Sequence, residues 1–143
     1  MNIYTIGFAQ KSAEEFFKLL TDNGVKKLID IRLNNKSQLA GFANAKHLPY
    51  FLKLHNIEYE YKPELAPSKE LLDGYKKKEI DWKEYEKTYK KILIDRNILN
   101  KVSKDELDSS VLLCSEPTAE QCHRLLASEH LAENLSDFKI KHL

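Results

Sequence analysis

The stretch that most constrains this chain is Val111-Leu112-Leu113-Cys114, a short apolar run with no polar interruption. A strand of this kind is buried on both faces, as in the centre of a parallel sheet. Parallel pairing requires crossover connections, most often helical. Glu116-Pro117-Thr118 breaks the run, and a helical pattern follows. Pro117 suits a first helical position, and Thr118 with Gln121 has capping-box spacing, so the spacing predicts a helix from there to about Asn134. Cys122, His123 and Arg124 then stand near a helix N-terminus, where unpaired amides favour a thiolate or an anion.

The rest of the chain supplies the partners. Asn2 to Ile6 and Val25 to Arg32 read as strands flanking a helix that opens at Ser12 and closes at Asn23-Gly24. A polar loop from Leu33 to Phe42 leads to a short helix, Lys46 to His55. The alternating Ile57 to Tyr61 is a third strand. Ser68 to Lys78 and Asp81 to Leu99 read as helices, and Phe138 to His142 as a last short strand. The sum is an α/β fold: a mostly parallel five-stranded sheet with helices on both faces, a three-layer α/β/α arrangement. At 143 residues, 42% hydrophobic and 31% charged, the chain fits a single domain over 1–143.

A net charge of +1 gives no global field towards nucleic acid or membrane. No apolar run of about 18 residues and no signal-peptide pattern is present. Two cysteines without an export signal point to free thiols and a cytoplasmic location.

Ligands of parallel sheets sit beyond the carboxyl ends of the strands. That rule gathers Gly7-Phe8, Asp30 and Arg32, the Ser37 loop, Glu64, and Ser115-Glu116 on one rim with Cys122-His123-Arg124. Asp30 and Arg32 alternate with apolar neighbours and have two readings: a buried ion pair or loop cap, or a site at the strand end. A nucleophilic Cys114 in an anion cradle is disfavoured, because Glu116 and Glu120 follow it and no glycine does. Cys114, Cys122 and His123 offer too few ligands at no recognised metal spacing, so no metal is expected. Cys122 with His123 as its base fails on direction, since adjacent helical residues diverge by about 100°. By itself Cys122 reads as a small core residue. No Walker loop or dinucleotide fingerprint is present, and no cofactor is expected. Lys83, Lys87, Lys90 and Lys91 share a helix with Trp82, Tyr85 and Tyr89, which is either a phosphate-gripping surface or a solvated face.

Tyr4-Thr5-Ile6-Gly7, Leu28-Ile29-Asp30-Ile31-Arg32, and Leu112-Leu113-Cys114-Ser115-Glu116 followed by Cys122-His123-Arg124 resemble a bacterial and archaeal family called domain of unknown function 488. The resemblance implies an α/β fold and a shared polar site at Thr5, Gly7, Asp30, Arg32, Ser37, Glu116, Cys122, His123 and Arg124. It implies no known reaction; some relatives carry nucleic-acid or DNA-repair labels. This chain departs from the pattern at Phe8 (usually His), Asn35 (usually Pro) and Gln38 (usually Arg).

The expectation is a site for a phosphate-bearing ligand, a nucleotide or nucleic acid. Arg32 and Arg124 would hold the anion, with Thr5, Gly7 and Ser37 beside them. Asp30, Glu116, Cys122 and His123 would be the catalytic groups. The alternatives are a non-catalytic module whose Asp30, Arg32, Glu116 and Arg124 network is structural, and a nucleic-acid binder using the lysine face.

Overall fold

Apolar residues at alternate positions of each strand build the two faces of one sheet. The computed structural model describes Met1 to Leu143. Five strands, β1 (Asn2–Gly7), β2 (Lys27–Asp30), β3 (Glu58–Tyr61), β4 (Ser110–Cys114) and β5 (Lys139–His142), lie in the order β3-β2-β4-β1-β5. Every pairing is parallel. The register sets Asp30 opposite Leu113 and Gly7 opposite Cys114, so β1, β2 and β4 end at one level. β4 is buried throughout, as its unbroken apolar run requires.

Leu28, Tyr4, Ile6, Val111 and Leu113 face one core with Phe16, Phe17 and Leu20 of α1 (Ala13–Asp22) and Leu48 and Leu52 of α2 (Leu48–Leu54). Ile3, Ile29 and Leu112 face the other, with Leu71 of α3 (Lys69–Lys76), Tyr85, Tyr89 and Leu93 of α4 (Trp82–Asp95), Leu107 of α5 (Lys104–Leu107), and Leu126 and Leu131 of α6 (His123–Leu135). These are the three layers that the alternation of strands and helices predicts. Ser12 and Glu15 form a reciprocal capping box at α1, as their spacing predicts.

Most boundaries lie within two residues of the sequence reading, β2 among them at Lys27–Asp30, and three places differ more. Residues 38–43 form a kinked 3-10 segment inside the expected polar loop, with Gly41 at φ 54° supplying the bend. The helix over α4 stops at Asp95, because Asn97 takes a left-handed turn at φ 57°. Most consequential, α6 begins at His123 and not near Pro117: residues 115–122 are turns, and Cys122 is an extended N-cap at φ −124° and ψ 144°. No helix is long and apolar enough to cross a membrane.

α1 and α2, which follow β1 and β2, pack on one face, and α6, which follows β4, packs on the other. The loops leaving the central strands therefore part at the carboxyl end of β4. This is the crevice in which ligands of open parallel sheets bind.

Candidate functional site

At the end of β2 the chain turns back on itself. Asp30 is 0% exposed and Arg32 2%. Arg32 donates from Nε to Asp30 Oδ1 and from Nη2 to Oδ2, both at 2.8 Å, and its backbone N–H reaches Oδ1 at 3.2 Å. The Tyr59 hydroxyl donates to Oδ2 at 2.7 Å, and Asn35 Nδ2 to the same oxygen at 3.3 Å. Burial and the Asp30 carboxylate hold the Tyr59 phenol well above its ordinary value, so it stays a donor. Both bland readings of Asp30, ion pair and loop cap, hold at once. Its two oxygens accept five hydrogen bonds, three of them from Arg32. Nη1 of Arg32 alone is buried without a partner. The centre of the Phe8 ring lies 5.5 Å from the guanidinium carbon, a cation–π contact.

At the end of β4 the turn over 115–122 returns the chain to its own start. Cys122 Sγ lies 2.8 Å from Cys114 Sγ, and His123 Nδ1 lies 3.6 Å from Cys114 Sγ. His123 Nε2 is 2.8 Å from the Ile31 carbonyl oxygen. A carbonyl can only accept, so Nε2 carries the hydrogen and Nδ1 faces the sulfur. The Cys122 hydrogen bond holds the Cys114 thiol well below its ordinary range despite burial, with the His123 charge adding to the effect. The same hydrogen bond, together with burial, pushes the Cys122 thiol up. Burial lowers His123, and the Cys114 sulfur more than offsets it, raising the imidazole overall.

Arg124 is 0% exposed. It has no carboxylate within ion-pair distance; Nη1 donates to the Glu116 carbonyl oxygen at 3.3 Å and Nε is unpartnered. Burial pulls the guanidinium below its ordinary value, while the charges of Cys122, Cys114 and Glu116 work the other way. Gly7 lets this loop close: a Cβ there would stand 1.5 Å from the Glu116 carbonyl oxygen and 2.7 Å from Arg124 Nη1.

A cleft of about 500 Å³ opens over these strand ends. Of the expected site residues, Arg32, Ser37, Glu116, Cys122 and His123 line it; Thr5, Gly7, Asp30 and Arg124 do not. Thr5 is bonded to His142 Nδ1 at 2.6 Å, and Ser37 accepts from the Leu39 amide at 3.3 Å. Arg124 is not among the lining residues and donates to the loop at the Glu116 carbonyl oxygen. Cys114, set aside on sequence grounds, lines the cleft with Tyr75, Tyr85, Ser115 and Gln121. Glu116 lines the same cleft, and Glu116 and Glu120 are both exposed. His123 meets Cys114 across the turn and not its neighbour Cys122, in line with the divergence expected of adjacent residues. The end of an unbroken apolar strand was the available signal for Cys114.

A family model described as domain of unknown function DUF488 matches residues 12–131. No curated protein and no solved structure matches the chain.

Proposed function

The chain belongs to the DUF488 family, and from that premise we propose that its carboxyl-edge cleft binds a phosphate-bearing ligand, a nucleotide or the end of a nucleic acid. The observation that carries this reading is the free Nη1 of Arg32, a buried donor in the cleft wall whose other two donors are fixed by Asp30. A buried unpaired guanidinium N–H is costly, and an anionic oxygen entering past Phe8 would complete it. Ser37 and Lys76 stand on the same wall. Arg124 adds positive charge behind it, because no carboxylate forms an ion pair with that guanidinium. The α4 lysines are a weaker platform: Glu84, Glu86 and Asp95 share the helix, and Lys90 is already held by Glu86 at 3.0 Å.

Calorimetric titration tests this reading. Pyrophosphate and nucleoside diphosphates bind at one site per chain, while the matching nucleosides bind at least about tenfold more weakly. Lys76→Glu, an exposed change at the cleft rim, weakens the phosphate ligands selectively. Equal affinity for nucleoside and nucleotide, or indifference to both Lys76→Glu and Arg32→Gln, overturns the reading.

A further inference from the structure

Cys114, Cys122 and His123 form a second constellation on the same wall. We propose that Cys114 Sγ, Cys122 Sγ and His123 Nδ1 are a three-ligand site for a thiophilic divalent metal ion, zinc in the first instance, with the fourth position turned to the cleft.

The three donor atoms lie within 4.8 Å of one another, and all three residues are buried. A tetrahedral zinc with Zn–S about 2.3 Å and Zn–N about 2.05 Å sets its S···N edge at about 3.5 Å. The Cys114 Sγ to His123 Nδ1 distance is 3.6 Å. The S···S edge of such a site is about 3.8 Å. The sulfurs stand at 2.8 Å, so metal entry spreads them by about an ångström.

The supporting groups are those a metal histidine requires. The Ile31 carbonyl takes the Nε2 hydrogen at 2.8 Å, which fixes the tautomer and presents the Nδ1 lone pair. The Tyr89 ring meets His123 edge-on at 5.9 Å and limits its rotation. Two thiolates with one imidazole suit a thiophilic ion better than a hard oxygen-seeking one. Because all three residues line the cleft, a fourth ligand can arrive from it. Three protein ligands with an accessible fourth position are the pattern of catalytic rather than structural zinc.

Charge completes the argument. A divalent ion cancels two thiolates and leaves the positive charge of Arg124 uncompensated nearby. That surplus favours an anionic fourth ligand. Only this last point rests on the phosphate reading; the three-ligand site stands without it.

The test uses the full chain, reduced, stripped with a chelator and reloaded. Zinc binds at one ion per chain, and competition with a chromophoric chelator gives its affinity. Cobalt(II) gives a thiolate charge-transfer band and the strong d–d absorption of tetrahedral coordination. Cys114→Ser, Cys122→Ser and His123→Gln each weaken zinc by at least about 100-fold, more than loss of a supporting group does. His130→Gln, elsewhere on α6, leaves affinity unchanged. Should the three variants fail to fold, wild type decides: zinc slows alkylation of both cysteines if the proposal holds. Sub-stoichiometric zinc, cobalt without a thiolate band, or alkylation indifferent to zinc overturns it. A phosphate titration on stripped protein is independent, so the two readings can fail separately.

Discussion

Two charged clusters lie on this sheet, and they are built on opposite principles. On β2, β3 and α5, Lys27 meets Glu60 at 2.8 Å and Glu106 at 3.3 Å, while Lys62 meets Glu106 at 3.0 Å and Glu60 at 3.6 Å. Two cations and two carboxylates close a ring in which each charge has two opposite neighbours. At the carboxyl edge, by contrast, Asp30 is surrounded by donors, yet Arg32 Nη1 and Arg124 Nε have no acceptor. The first cluster joins β2, β3 and α5 through opposite charges in direct contact. The second leaves Arg32 and the two cysteines in the wall of a cleft, with Arg124 behind it. Polar groups that satisfy one another explain architecture, whereas those that do not call for a ligand.

The sharpest way to break this contrast is to remove one carboxylate from each cluster. Asp30→Asn leaves the Arg32 cation buried without its counter-charge and costs about 3–5 kcal/mol in urea unfolding. Glu106→Gln, in the more open ring, costs about 1 kcal/mol or less. Equal costs would mean that the two clusters do the same work. Gly7→Ala comes next. Its Cβ has no room beneath the Glu116 carbonyl, so the turn over 115–122 must shift, at about 1–3 kcal/mol. The same variant loses whatever the cleft binds. Near-native stability with intact binding would show that the turn is not held as described.

The smallest effect is a pH dependence. Burial would raise the Glu106 carboxyl, but hydrogen bonding with Glu60 and Lys62 and the charges of Lys62 and Lys27 outweigh it and bring the group down to about 2. A carboxyl depressed on folding stabilises above its unfolded value of about 4.3, and that contribution fades as pH falls towards 2. Wild type therefore loses stability over that window more steeply than Glu106→Gln. Parallel curves would remove the ring from the account.

Much of this was legible in the residues themselves. The run Val111 to Cys114 specifies a central buried strand, and the parallel order that follows brings Asp30 and Cys114 to one edge. Asp30 with Arg32 was readable as an ion pair or a cap because both depend on residues two apart. The thiol–imidazole cluster was not readable, for a local reason. Pro117 and Thr118 carry good helix-start signals, but the helix begins at His123 because tertiary contacts with β1 and β2 hold residues 115–122 as turns. Gly7 gives way to the Glu116 carbonyl, and Ser115 accepts from the Ala9 amide at 3.0 Å. Cys122 is extended and His123 opens the helix, so the imidazole meets Cys114 and not its neighbour Cys122.

The most direct test follows the arginine side-chain resonances and the lysine ammonium resonances by NMR during a pyrophosphate titration. The account predicts that the Arg32 guanidinium signals shift and saturate at one ligand per chain, while Lys27 and Lys62 stay still. Unmoved Arg32 signals at saturation, with shifts confined to the lysines of α4, would contradict it.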